Sequence, residues 1–255
     1  MEIKGKTAVI TGATGKLTGS IVLELAKAGA DCICIYRKNN AEAKKLQAAL
    51  GRLKMKSLFI QTNLTRPENI EKVFADIERF ARPQILINAA AVFEKKLIGD
   101  ASFEYIRKTL DINFTAAMEM TRKFVEFVRK KIKQKQKPVA KIINIADIVV
   151  QRPPAGFSIY CASKAALVAA TKSLAKELAP GFTVNAVSPG IINWPFGFAQ
   201  GRQKNITAGQ KKKILAHIPA GRTGRPQEVA SAVKFLIEND YITGQIINID
   251  GGRTI

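Results

Sequence analysis

The chain has 255 residues, with 41 Lys and Arg against 20 Asp and Glu, a formal charge of +21. That length suits one α/β domain, and a content of 47% apolar and 24% charged residues excludes a disordered chain. The longest mostly apolar run, Ile85 to Phe93, is broken by Asn88 and falls far short of the ~20 residues of a membrane span. With no signal peptide ahead of the first strand, a cytoplasmic protein with no membrane role is expected.

Short apolar runs alternate with amphipathic ones. Lys6 to Thr11 predicts a buried strand ending in a glycine-rich turn, and Leu17 to Ala28 a helix that stops at Gly29. Asp31 to Tyr36 is a strand, Ala41 to Leu50 a helix, Ser57 to Thr62 a strand, and Pro67 to Phe80 a helix with proline in its first turn. Ile85 to Ile87 predicts a strand, Phe103 to about Lys131 one long helix, Lys141 to Ile145 a strand and Ser158 to Leu178 a helix. Thr183 to Val187, Pro226 to Ile237 and Gln245 to Ile249 complete the series as strand, helix and strand. Such alternation implies a parallel sheet covered on both faces, within one domain spanning 1–255. The long irregular stretch of about 189–225 reads as a substrate flap leaving the carboxyl end of a strand.

Cys32 and Cys34 share one face of a strand, and with Cys161 they form no disulfide framework. The lone His217 and the lack of a C-x-x-C pair speak against a zinc site, so no metal is expected. Two basic blocks stand out: nine Lys or Arg with one acid from Arg122 to Lys141, and seven with no acid from Gln200 to Arg225. Both are poor in the interleaved aromatic residues of a single-strand nucleic-acid groove, so no nucleic-acid partner is expected; a field that attracts anions is the alternative.

Three local patterns carry chemistry. Thr11-Gly12-Ala13-Thr14-Gly15-Lys16-Leu17-Thr18-Gly19 follows the first strand and opens the first helix, where glycines and free N–H groups can cradle a phosphate. Arg37-Lys38 follows the second strand, where an acid would hold the ribose of NAD; a basic pair can neutralise a 2′-phosphate and favours NADPH. Tyr160 and Lys164 are four apart on a helix, so the ammonium is expected to lower the phenol pKa and make it a proton donor.

Taken together, these residues resemble the short-chain dehydrogenase/reductase family over essentially the whole chain. The matching elements are Thr11-Gly12, Asn63-Leu64, Asn88-Ala89-Ala90, Asn113, Tyr160, Lys164, Pro189-Gly190 and Asp250-Gly251-Gly252. The resemblance implies a Rossmann-type doubly wound fold with a seven-stranded parallel sheet, NAD(P)-dependent hydride transfer and commonly a homotetramer. It implies that Lys164 contacts the nicotinamide ribose, Tyr160 protonates substrate and Asn113 holds a relay water. Cofactor contacts are expected from Gly12, Thr14, Gly15, Lys16, Leu17, Arg37, Lys38, Asn63, Leu64, Asn88, Ala89, Ala90, Tyr160, Lys164, Pro189, Gly190 and Ile191.

Two departures colour the expected activity. Lys16 and Thr18 stand where the turn normally has its second and third glycines, and Asp147 replaces a serine thirteen residues before the tyrosine. An ionised aspartate cannot donate to a carbonyl oxygen and would repel the oxyanion, whereas an aspartate that passes on a proton suits a C=N bond. Lys16, Asp147 and Phe93 are similar to the pteridine reductase branch, which implies a dihydropterin or folate-like substrate. That substrate would be held by Lys16, Phe93, Asp147, Tyr160 and Trp194, with the Phe93 ring stacking on it. The expected activity is therefore NADPH-dependent reduction of a dihydropteridine or dihydrofolate. The runner-up is a 3-oxoacyl-[acyl-carrier-protein] reductase or general carbonyl reductase; a cofactor-binding regulatory protein without chemistry is the non-enzymatic alternative.

Overall fold

A computed structural model describes residues 1–130, 140–192 and 207–255. Seven strands form one sheet: β1 (Thr7–Thr11), β2 (Asp31–Tyr36), β3 (Ser57–Gln61), β4 (Ile85–Asn88), β5 (Ala140–Ile145), β6 (Phe182–Pro189) and β7 (Ile246–Ile249). Their order is β3-β2-β1-β4-β5-β6-β7 and every pairing is parallel. The order reverses between β1 and β4, so their carboxyl ends open the crevice in which such sheets take ligands.

Helices cover both faces because the strand side chains alternate between two apolar cores. Ala8, Ile10, Cys32 and Cys34 face α1 (Lys16–Lys27) through Ile21, Val22 and Leu25, and α8 (Pro226–Glu238) through Val229, Val233 and Leu236. Leu46 and Leu50 of α2 (Asn40–Arg52) join that core. Val9, Ile33 and Ile35 face the opposite layer, made by α3 (Pro67–Phe80) and α5 (Ala116–Arg129) with Ala175 from α6 (Ser158–Glu177). Cys32 and Cys34 thus share a face as their spacing predicts, buried and reduced; burial, then Asp31, pushes the Cys32 thiol up to about 12.

Three elements differ from the sequence reading. The single helix expected from Phe103 is two, α4 (Phe103–Leu110) and α5, joined by a π-helical turn at Asp111–Thr115. Asn113 sits in that turn with its side chain turned inward, and the extra residue re-phases the helix, which periodicity alone does not register. β6 runs two residues further than expected because β7 pairs with it through Pro189, beyond Val187 where its pairing with β5 ends. Finally, the stretch read as irregular contains α7 (Ala208–Leu215), a lysine-rich helix without the apolar stripe that would have marked it. Its neck is tied: Ile192 bridges Gly224, and the Gly224 N–H donates to the Ile191 carbonyl at 2.9 Å.

Candidate active site

The site begins where β1 ends. Thr11 Oγ1 accepts from the N–H groups of Ala89 and Ala90 at 3.0 and 3.1 Å, clamping the loop after β4 onto the end of β1. Gly12 crosses that loop with φ +67°; a Cβ there would lie 2.9 Å from Ala90 Cα, so only glycine fits. Thr14 Oγ1 donates to the Lys38 carbonyl at 3.1 Å, which brings the segment after β2 against the turn. Arg37 is half-buried and Lys38 exposed, and no carboxylate among the described residues pairs with either.

Helix α1 starts at Lys16 behind Gly15, and no side chain caps it, so its first N–H groups remain open beside the cradle. Lys16 is exposed, Leu17 is half-buried, and Thr18 packs inward in place of the third glycine. Gly190 follows β6 so closely packed that a Cβ would meet Asp250 at 2.8 Å. An uncapped helix start, a turn no side chain can enter and two unpaired cations together fit a dinucleotide carrying an extra phosphate.

Not every expected cofactor residue faces that crevice with its side chain. Asn88 lies inside the protein, where its amide donates to Thr121 Oγ1 and Asn144 Oδ1, both at 3.0 Å. Asn63 accepts from the N–H and hydroxyl of Thr65, an Asx turn leading into α3. Both hold backbone in place. Trp194 lies outside the described residues.

The reactive cluster gathers at the carboxyl end of β5. Asp147 caps a 3-10 turn, Ile148–Val150, its Oδ1 accepting from Val149 N–H at 3.0 Å while its Oδ2 accepts from the Tyr160 hydroxyl at 2.7 Å. Lys164, one turn further along α6, is buried and donates to the Ile145 carbonyl at 2.7 Å, with its Nζ 5.8 Å from the Tyr160 ring centre. An ammonium has three donors, so two remain for a ligand. Asn113 links the elements: its Oδ1 accepts from Val92 N–H at 2.8 Å, and its Nδ2 donates to the Val92 carbonyl and to Ser163 Oγ, both at 3.0 Å. Ser163 donates onward to the Tyr160 carbonyl at 2.6 Å. Both Nδ2 hydrogens of Asn113 are thus taken by protein partners.

Electrostatics correct one expectation directly. Burial, followed by the Asp147 carboxylate, raises the Tyr160 phenol well above its ordinary value, so the Lys164 effect foreseen from spacing does not win. Asp147 itself is raised above the usual aspartate range by burial, against the lowering pull of the Val149 N–H, the Tyr160 hydroxyl and Lys164. Burial drives the Lys164 ammonium down to about 8, with Asp147 acting the other way. Phe93 has its own ring partners: Phe157 stacks on it at 4.6 Å and 13°, and Tyr160 meets it edge-on at 4.6 Å, so the three rings form one wall of the site. Phe157 and Ser163 escaped the sequence reading; Ser163 is three residues after Tyr160 and one before Lys164, a spacing that would have flagged it.

A parallel sheet with a phosphate cradle at its switch point and a Tyr–Lys pair beside it defines a nucleotide-dependent oxidoreductase of the Rossmann type. The comparisons with known proteins narrow the class. Residues 16–254 match the family described as Enoyl-(Acyl carrier protein) reductase. The chain is 34% identical over 255 residues to the 3-oxoacyl-[acyl-carrier-protein] reductase FabG of Rickettsia bellii, covering 99% of this chain and 98% of that one. It is 34% identical to the Haemophilus influenzae protein of the same name, covering 98% of each.

Among solved structures, a short-chain dehydrogenase/reductase from Serratia marcescens superposes with a TM-score of 0.87 at 25% identity, covering 100% of both chains. A blue fluorescent protein from a metagenomic library, in complex with NADPH, gives 0.85 at 26%, again over 100% of both. The chain belongs to the short-chain dehydrogenase/reductase family and is an oxidoreductase of that family. The expected pteridine or dihydrofolate specificity is corrected by these relatives: they carry the name of the runner-up activity, and nothing in the comparisons points to the pteridine reductase branch.

Proposed function

We propose that the protein is an NADPH-dependent 3-oxoacyl thioester reductase, of the kind its curated relatives are named for, working in the cytoplasm as a homotetramer of single-domain subunits. The observation that carries the reading is the Asp147–Tyr160–Lys164 cluster beside the Gly12 cradle, in a chain 34% identical to proteins named 3-oxoacyl-[acyl-carrier-protein] reductase. No helix among the described residues is long and apolar enough to cross a membrane.

NADPH, when bound, supplies a hydride from nicotinamide C4 to the substrate ketone carbon. Gly12 and the α1 amino end hold its pyrophosphate, Arg37 and Lys38 its 2′-phosphate, and the two spare Lys164 donors its ribose. The chain then handles the proton. The Tyr160 hydroxyl donates to the ketone oxygen and gives up its proton as that oxygen becomes an alcohol; Lys164 steadies the phenolate left behind.

Asp147 decides when this works. Ionised, it accepts the Tyr160 proton in a hydrogen bond and repels an oxyanion; protonated, it can donate to Tyr160 and free the phenol for substrate. Protonated Asp147 thus does the work of the usual serine and refills Tyr160 after turnover. NADPH oxidation with acetoacetyl-acyl carrier protein and with acetoacetyl-CoA tests the reading, and light scattering tests the tetramer. Turnover of neither thioester at any pH between 5 and 8 refutes the activity.

A further inference from the structure

One end of the sheet holds a charge arrangement that the hydride-transfer chemistry does not use. After the 3-10 turn begun by Asp147, Arg152 donates through Nη1 to the Arg253 carbonyl. The two guanidinium groups repel: burial first, and then Arg152, lowers the Arg253 pKa from its usual value. Arg253 Nη1 is buried without any hydrogen-bond partner. The one carboxylate beside it, Asp250, is already engaged, accepting from Gly252 N–H at 3.0 Å and from the N–H and hydroxyl of Thr254 at 3.0 and 2.7 Å. The carboxylate beside Arg253 is thus occupied, and one buried Arg253 donor is unmet. Arg152 is exposed, and an anion bound there relieves the repulsion between the two guanidinium groups.

Its place in the fold gives the cluster a use. Gly190, at the end of β6, has Asp250 on one side and Ile148 on the other, within 2.8 and 3.4 Å of where a Cβ would stand. Arg152 is five residues from Asp147, so its Cα lies within about 18 Å of the Asp147 Cα even at full extension. That is within reach of the arm that carries a thioester.

We propose that Arg152 and Arg253 form a subsite for a phosphate ester carried by the substrate, at the far end of the chain whose ketone meets Tyr160. The inference rests on the thioester reading for the identity of the substrate, not for the presence of the anion site.

The test uses two substrates that differ by one phosphate: acetoacetyl-4′-phosphopantetheine and acetoacetyl-pantetheine. With the wild-type protein the phosphorylated thioester is expected to have a KM about tenfold lower, the gain of a charge-assisted pair of bonds. In Arg152→Gln the phosphorylated KM rises to the unphosphorylated one, and Arg152→Lys restores part of the gap. Lys27→Gln removes the same charge from the last turn of α1, at the amino ends of the strands, and leaves the gap intact. Equal KM values in the wild type, or an equal loss in Lys27→Gln, overturn the subsite in favour of a general positive field. If neither thioester is reduced, the proposed function fails and the subsite is judged by binding alone. Inorganic phosphate is then titrated calorimetrically with NADP⁺ saturating; a saturable site lost in Arg152→Gln supports it, and identical titrations overturn it.

Discussion

Replacing Asp147 with serine removes the carboxylate that accepts the Tyr160 hydroxyl at 2.7 Å and leaves a neutral donor in its place. A hydrogen bond to a charged group is worth about 1.5–3 kcal/mol, which is roughly 10- to 100-fold in rate when it ties up the proton the reaction needs. The sign follows from burial: the Asp147 carboxyl titrates above the usual aspartate range, so wild-type kcat/KM for ketone reduction is high at acid pH and falls as pH rises through that pKa. Asp147→Ser loses that descending limb and is expected to gain about tenfold at pH 7 to 8. A second limb survives in both proteins, because Lys164 loses its charge near about 8. Asp147 raises the Lys164 value, so the serine variant shifts that limb to lower pH. The assay is kcat/KM with acetoacetyl-CoA from pH 5 to 9 at saturating NADPH. A wild-type profile without an acid-side maximum, or a serine variant slower at every pH, refutes the reasoning.

Three further outcomes follow from the same geometry. A lysine buried and held down to about 8 from 10.5 is penalised in the fold below pH 8, a penalty that fades as pH rises through 8 to 10.5. Lys164→Met should therefore abolish turnover yet raise stability at pH 7 by about 3 kcal/mol, measured by urea unfolding; an unchanged or lower midpoint contradicts this. Gly12→Ala puts a Cβ 2.9 Å from Ala90 Cα at φ +67°, so it should cost at least about 1 kcal/mol and raise the NADPH KM more than that of substrate. Changing Arg37 and Lys38 to Asp and Ser removes two cations and supplies an acceptor for ribose. The preference for NADPH over NADH is expected to fall by about a hundredfold, and a wild type that already favours NADH refutes the role given to the pair.

The sheet was legible because each strand carries its own signature. Lys6 to Thr11 and Asp31 to Tyr36 are short apolar runs with helical stripes between them, and the structure places their alternating residues in two separate cores. The π-helical turn at Asp111–Thr115 was not legible, since one inserted residue leaves the apolar pattern on both sides intact. In the site, Tyr160 and Lys164 could be paired by spacing on one helix. The contacts that decide their chemistry join residues far apart in the chain. Asn113 reaches Val92 and Ser163, and Phe157 stacks on Phe93, and no local pattern states either.

The same limit applies to the substrate. From sequence, an ionised Asp147 repels a ketone's developing oxyanion, while an Asp147 that passes on a proton suits a C=N bond. Its burial under Tyr160 reverses the argument, because a carboxyl whose pKa is raised can hold a proton and donate it, as a serine does. The charge excess changes meaning in a similar way. At α5, Arg122, Lys123 and, just past its end, Lys130 are paired with Glu119, Glu126 and Glu71, so these three charges of the basic block are locally screened. Lys212 and Lys213 on α7 and the Arg152–Arg253 pair meet no free carboxylate among the described residues. These cations follow β5, β6 and β7 in the chain, on the side from which a phosphorylated substrate would arrive.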